Sequence, residues 1–338
     1  MKTGVLLINL GTPDAPTTSK VRKYLSEFLN DKRVIDINAI ARLLLVNLII
    51  VPFRSAKSAK LYKEVWTKRG SPLLFHSTDL REKLQKALPD KYVVELAMRY
   101  QNPDIPSAME RLRQKKAEKI IVIPLYPQYA SSTTGSTIEK VMDELKSWEA
   151  IPELKFITHF YRNNSFIKAF AKKAEDFDLE SYDHILFSYH GLPERHMRKI
   201  GKHYGDNSCK LGDCCNSITE KNQFCYRANC FETTRRIANE IGLEKSRFSI
   251  SFQSRLGRDP WIQPYTDEII TQLAKEGKKK LLVFSPSFVA DCLETVHEIG
   301  VEYNELFHEK GGEKIDLVPS LNSDDAWVNA VKEMVIEN

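Results

Sequence analysis

Eight short apolar runs, separated by stretches long enough for a helix, limit the architecture open to this chain. Four lie at Val5-Leu10, Tyr92-Ala97, Ile120-Ile123 and Leu154-Thr158, and the same rhythm returns at Ile185-Ser188, Phe248-Phe252, Leu281-Phe284 and Ile315-Val318. Runs this brief and this apolar read as buried parallel strands, and strands alternating with helical crossovers build doubly wound sheets. The expected class is therefore α/β, with two mostly parallel sheets. Turn-forming residues follow equivalent strands in the two halves, Gly11-Thr12-Pro13 against Gly191-Leu192-Pro193 and Pro124 to Gly135 against Ser285 to Asp291, which suggests an internal repeat.

Such sheets often hold nucleotides, yet neither G-x-G-x-x-G nor G-x-x-x-x-G-K-[ST] follows any of the runs, which disfavours a dinucleotide or ATP site. A net charge of +5 is small against 50 basic and 45 acidic residues. Without a basic run interleaved with aromatics, nucleic acid is not an expected partner. The first run is too short for the core of a signal peptide, so the expected compartment is the cytoplasm. There the six cysteines should be reduced thiols or metal ligands rather than disulfides. Leu43 to Phe53 is apolar almost all round and is flanked by Arg42, Arg54, Lys57 and Lys60. At 11 residues it falls short of the roughly 20 that span a bilayer. A buried core helix is the plainer expectation; the alternative is an apolar lip whose cationic border rests on anionic lipid or frames the entry for a hydrophobic ligand.

Three stretches carry chemistry. In His184-Ile-Leu-Phe-Ser-Tyr-His190-Gly-Leu-Pro, the strand should stop at Gly191 and Pro193, leaving His190 at a carboxyl end, where open α/β sheets bind ligands. A histidine that only caps a turn is the plainer alternative. After the run Leu281-Phe284, Asp291, Glu294, Glu298 and Glu302 form a carboxylate row on one helix face; ordinarily that is a solvated surface, and acidic residues near a helix start are favoured by its dipole in any case. Because Glu294, Glu298 and Glu302 are four apart, an α-helix would let them drift round its surface, so i→i+5 bonding is expected within residues 291–305. Finally, Cys209, Cys214, Cys215, Cys225 and Cys230 fall within 22 residues as two C-x4-C pairs and a spare, a spacing open to zinc although no C-x2-C knuckle is present.

Together, Ser188-Tyr189-His190-Gly191-Leu192-Pro193, Tyr126-Pro127-Gln128-Tyr129 leading to Ser132-Thr133-Thr134-Gly135-Ser136, and Asp291-Cys292-Leu293-Glu294-Thr295 resemble the ferrochelatase family. Asn9-Leu10-Gly11-Thr12-Pro13, Gly70-Ser71-Pro72-Leu73, Arg99-Tyr100, Gln253-Ser254 and Pro260-Trp261 match in the same order along nearly the whole chain. The resemblance implies two Rossmann-like domains with a porphyrin in the cleft between them, and a lyase that inserts Fe2+ into protoporphyrin IX as the last step of haem synthesis. It implies His190 as proton acceptor or last iron ligand, Glu294 facing it across the macrocycle, and Asp291 and Glu298 continuing an acidic path for iron or protons. Leu10, Arg99, Tyr100 and Trp261 are the implied pocket residues, with Arg99 able to pair a propionate. Ser132, Thr133, Thr134 and Gly135 could equally cap the helix that follows.

Some bacterial ferrochelatases bind a [2Fe–2S] cluster through an internal cysteine-rich insert similar to this one. By that resemblance a cluster is expected on Cys209, Cys225, Cys230 and one of Cys214 or Cys215, distant from the reaction, with zinc or an empty site as alternatives. The expected boundaries are 1–160 for the first domain, 161–315 for the second with the insert at 205–231, and 316–338 for a strand and helix returning to the first. Coproporphyrin III or another tetrapyrrole, a non-catalytic tetrapyrrole or iron carrier, and an unrelated α/β transferase are the competing readings. Peripheral contact of residues 41–54 with the inner face of the cell membrane completes the expectations, and the oligomeric state is left open.

Overall fold

The computed structural model describes residues 2–203, 209–257 and 259–338. The first four strands, β1 (Thr3–Gly11), β2 (Tyr92–Tyr100), β3 (Lys119–Pro124) and β4 (Glu153–Phe156), form a parallel sheet in the order β2-β1-β3-β4. The last four, β5 (His184–His190), β6 (Phe248–Gln253), β7 (Lys280–Phe284) and β8 (Lys314–Leu317), form a second parallel sheet in the order β6-β5-β7-β8. All eight apolar runs are strands. The central ones are buried along most of their length because helices cover both faces, which is why they read as continuous apolar runs rather than alternating ones.

The two sheets share more than strand order. Asn9 pairs with Met98 and Tyr189 with Phe252, and the Met98 and Phe252 amides donate to the Pro103 and Pro264 carbonyls at 2.6 and 2.8 Å. Counting from these marks, Leu10 and His190 occupy equivalent positions, as do Gly11 and Gly191. Both glycines are required by close approach: a Cβ at Gly11, whose φ is +111°, would meet the Tyr100 carbonyl oxygen at 2.0 Å, and one at Gly191 would meet that of Gln253 at 2.8 Å.

The chain divides into one unit of Met1–Tyr126, Ala130–His159 and Asn322–Asn338, and another of Pro127–Tyr129 and Phe160–Leu321. The expected return at 316 comes too early. β8 pairs with β7, and Ile315 is buried in the second unit's core with Leu186, Val283 and Phe307. Only the segment from Asn322, with its helix Asp325–Ile336, belongs to the first unit.

The expectation of a buried core helix around Leu43–Phe53 is overturned. A continuous helix, Ala39–Val65, starts at Asn38, whose side chain accepts from the Ile40 and Ala41 amides. Val46, Val51, Ser55, Ala59, Tyr62 and Val65 face inward, Val46 and Val51 packing on Leu25, Phe28 and Leu29, whereas Ile40, Leu43, Leu44, Leu48, Ile49 and Phe53 are all more than half exposed. Leu45–Ile50 is a π-helical segment inside it. There the Asn47 side chain donates to the Leu43 carbonyl and accepts from Ser26 at 2.8 Å, so the one polar residue of the run satisfies a backbone group at the bulge and ties it to the helix Thr18–Leu29. At 27 residues with mean hydropathy 1.7 in its apolar part, the helix has the length and composition to cross a membrane, contrary to the expectation from the shorter run.

Candidate active site

In the second sheet the chain winds one way from β5 to β6 and the other way to β7, so the crevice lies at the carboxyl ends of β5 and β7. His190 is the last residue of β5 and is half-buried there. Its amide donates to Ser287 Oγ at 3.4 Å, and its carbonyl accepts from Tyr226 Oη at 2.8 Å. Nδ1 lies 2.6 Å from the Gly191 carbonyl oxygen. A carbonyl can only accept, so Nδ1 carries the proton, and in the neutral ring Nε2 is left with a free lone pair. Trp261 and Phe288 flank the imidazole with ring centroids 6.3 and 6.5 Å away. The Trp261 indole N–H donates to the Leu256 carbonyl at 2.9 Å, and the Trp261 backbone forms an antiparallel β-bridge with Pro193.

After β7 the chain turns through Ser285–Leu293 into Glu294–Tyr303, which is π-helical as the four-residue spacing of the carboxylates predicts. The widened turn pairs side chains five apart: Tyr303 Oη donates to Glu298 Oε1 at 3.1 Å, and His297 Nε2 lies 3.2 Å from Glu302. Gln253, the partner of His190 across β5 and β6, donates through Nε2 to the Glu294 carbonyl at 2.9 Å and to Glu298 Oε2 at 3.0 Å; Ser254 Oγ donates to the same Oε2. Burial raises the Glu298 carboxyl pKa above its ordinary value, with Glu294 adding to the rise, while Ser254, Gln253 and the nearby His190 oppose it. Glu298 is thus held by three donors close to His190. Gln253, Ser254, Tyr303 and Tyr226 were not among the expected site residues; Gln253-Ser254 at the end of a strand was the available signal.

Asp291, expected on the acidic path, and Glu302, a member of the carboxylate row, each have other partners. Asp291 Oδ1 accepts from Thr295 Oγ1 and from the Ser320 amide, both at 3.1 Å, so its visible work is to anchor the segment after β8 to the helix start. Glu302 is exposed and turned to His297.

In the first unit, Leu10 is half-buried at the end of β1. Arg99 and Tyr100 correct their expected roles. The Arg99 guanidinium donates to Asp31 at 2.7 Å and to Ser136 Oγ at 2.7 Å, and that ion pair leaves 15% and 5% of the two side chains exposed. A propionate would have to displace Asp31. Tyr100 has no exposed surface; its hydroxyl donates to Asp31 at 2.9 Å and its ring packs edge-on against Phe28, so within its unit it is a core residue rather than a pocket wall. Ser131–Gly135 forms a π-helical start to the helix Ser136–Leu145 with no side-chain cap, so the expected capping role of Ser132, Thr133 and Thr134 with Gly135 is not seen.

The ferrochelatase family model matches residues 2–338. The chain belongs to the ferrochelatase family. Curated ferrochelatases agree: one from Legionella pneumophila (strain Lens) is 47% identical over 337 residues, covering 100% of this chain and 99% of its own, and one from Coxiella burnetii is 44% identical, covering 98% and 93%. In fold the chain is similar to the sirohydrochlorin chelatase SirB of Bacillus subtilis subspecies spizizenii in complex with cobalt, with a TM-score of 0.57 at 12% identity, covering 100% of this chain and 95% of that one. The activity of the family is insertion of ferrous iron into protoporphyrin to give protohaem. Iron and porphyrin are substrates, and the enzyme catalyses metal insertion.

The thiols of the insert run from Cys209 to Cys230, and Cys230 comes within hydrogen-bonding reach of the Tyr226 hydroxyl that binds the His190 carbonyl. The start of the insert, 205–208, lies outside the described residues. Cys209, Cys214 and Cys225 line one cavity of about 160 Å³ with Met197, Ile200 and Gly201. Cys214 and Cys215 sulfurs are 4.0 Å apart. The Cys225 thiol donates to Cys215, which lowers Cys215 to a pKa of about 6 with help from Arg227. Cys230 is fully buried, and burial raises it well above an ordinary thiol. No disulfide joins the described cysteines, and no group of three or more His, Cys, Asp or Glu side chains among the described residues is closed into a metal site.

Proposed function

We propose that His190 is the group that takes a pyrrole proton or holds iron last, and that Glu294 and Glu298 pass the ion or the protons to and from it. The observation that carries the reading is the Nδ1–H bond to Gly191, which leaves Nε2 as the unprotonated nitrogen of a neutral ring at the carboxyl end of β5. Metallation removes two protons while Fe2+ exchanges water for four ring nitrogens, so the site needs one base and one set of hard, exchangeable ligands. A neutral imidazole is a base at neutral pH, and carboxylates bind ferrous iron through oxygen loosely enough to release it. Glu298, raised by burial yet bonded to three donors, is suited to exchanging a proton with His190. Trp261 beside the imidazole offers a flat apolar wall for the macrocycle. The reaction places the enzyme among the lyases. Anaerobic assay with Fe2+ and protoporphyrin IX, read in the visible spectrum, tests the assignment: His190→Ala and Glu294→Ala should each lose metallation while porphyrin binding persists.

A [2Fe–2S] cluster on Cys209, Cys225, Cys230 and one of Cys214 or Cys215 belongs to the same proposal. Support comes from the donor chemistry: Cys209, Cys214 and Cys225 share a cavity, Cys215 is lowered to a pKa of about 6 by the Cys225 thiol with help from Arg227, and Cys230, which burial raises, would have to lose its proton on joining the cluster. Such a cluster would supply structural or redox-sensing chemistry and takes no part in metallation. Iron and sulfide analysis with EPR of the dithionite-reduced protein tests it, zinc in stoichiometric amount being the contrary result. The exposed apolar face of Ala39–Val65 supports a further element, peripheral contact with the inner face of the cell membrane by a cytoplasmic enzyme. A substrate poorly soluble in water would then be collected from lipid.

A further inference from the structure

The peptide joining His190 to Gly191 is held from both sides. Its N–H donates to the Gln253 carbonyl at 2.8 Å, and its C=O accepts from Tyr226 Oη at 2.8 Å. The next carbonyl along, that of Gly191, receives the imidazole Nδ1–H. Ring orientation and tautomer therefore depend on where this peptide plane sits, and only one of its two restraints comes from the sheet. The other comes from the helix Tyr226–Glu240. Tyr226 is 6% exposed, with Ser287 and Cys230 within hydrogen-bonding reach of its hydroxyl, so that hydroxyl has no solvent to turn to. Ser287 also receives the His190 amide, which closes a small network round the His190 backbone.

We infer that Tyr226 is a positioning residue for the reaction: its hydroxyl holds the 190–191 peptide in the orientation that keeps His190 protonated on Nδ1 and its Nε2 free. This deepens the role proposed for His190 and rests on it. The physical reason is that a carbonyl buried without its donor will turn to find another, and Gly191, lacking a Cβ, offers little resistance to that turn. A turned plane carries the Gly191 carbonyl away from Nδ1, and the ring then samples the other tautomer and other rotamers.

The test is Tyr226→Phe, which removes one oxygen and keeps the ring that packs the core. Two readouts are taken on the full chain, steady-state metallation and the imidazole 15N shifts of His190, assigned by comparison with His190→Ala. In the parent the shifts should report a neutral Nδ1–H tautomer. In Tyr226→Phe they should move to a tautomer mixture, with kcat lowered about three- to tenfold, the loss worth one hydrogen bond, and KM for porphyrin changed by less than about twofold. Tyr189→Phe, which removes an equally buried hydroxyl that lies 2.8 Å from Thr234 Oγ1, controls for the loss of any tyrosine oxygen in this core and should change neither readout. Unchanged shifts in Tyr226→Phe, or an equal kcat loss in Tyr189→Phe, would overturn the inference. An Nε2–H tautomer in the parent would overturn it without any variant, even if Tyr226→Phe failed to fold. A parent spectrum as expected together with full activity in His190→Ala would instead sink the role proposed for the histidine.

Discussion

Replacing Leu48 and Phe53 by serine should release the enzyme from lipid without unfolding it. These side chains are 65% and 80% exposed on the outward face of Ala39–Val65, so neither contributes much to the core. Full burial of a leucine or phenylalanine side chain is worth roughly 1.5–3 kcal/mol, so moving the exposed parts of both into an acyl boundary is worth about 2–4 kcal/mol. At 1.4 kcal/mol per tenfold, the double variant should partition between about 30-fold and several hundred-fold more weakly than the parent. Exposed substitutions of this kind shift folding stability by about 0.5 kcal/mol or less, so the urea midpoint should stay in place. The assay is co-sedimentation with vesicles containing about one-third anionic lipid, repeated at high salt. Arg54, Lys57 and Lys60 are exposed along the same helix, and near an anionic surface each adds about 1 kcal/mol that salt screens. Parent binding should therefore weaken with salt and retain an apolar remainder, and that remainder should shrink by the same factor in the double variant, where Ile40, Leu43, Leu44 and Ile49 are still exposed. Partitioning within about threefold of the parent would refute the reasoning and leave the exposed face without a role at the bilayer.

Removing Asp31 should destabilise the protein by about 3–5 kcal/mol in urea, because Arg99 would be left charged and unpaired in a buried site; a loss under 1 kcal/mol would mean the ion pair is solvated. Burial lowers His184 to a pKa of about 4 from its ordinary 6.5, so below pH 6.5 the unfolded chain takes up a proton that the folded one refuses. Stability should fall as pH drops from 6.5 to about 4 and level off beneath, and His184→Asn should flatten that part of the profile. Glu298 works the other way: its raised pKa means the folded state holds a proton that the unfolded state has lost, so stability should fall as pH rises through that window, and Glu298→Gln should remove the decline. Cys225→Ser should abolish any EPR signal of the reduced protein, whereas replacing Cys214 and Cys215 one at a time should remove it in only one case.

Local features of this chain were legible because they obey local physics. A strand covered on both faces must be apolar throughout, so Val5-Leu10 and Ile185-Ser188 announced buried β-structure, and Gly191 with Pro193 announced where it stops and hence where His190 stands. The spacing of Glu294, Glu298 and Glu302 likewise foretold the π-helical turn, since only a widened turn pairs residues five apart. Three other matters rested on partners distant in the chain. Residues 43–53 are apolar all round, so nothing local says which side is covered; the helix Thr18–Leu29 takes one face and leaves the other bare. Arg99 looked available for a propionate until the fold set Asp31, 68 positions earlier, against it. Tyr226 shows no pattern that marks it, and its importance to His190 follows from a helix that brings one hydroxyl 2.8 Å from one carbonyl. Periodicity records what a segment must bury, but the identity of the group that buries it, or bonds to it, is decided by packing between segments.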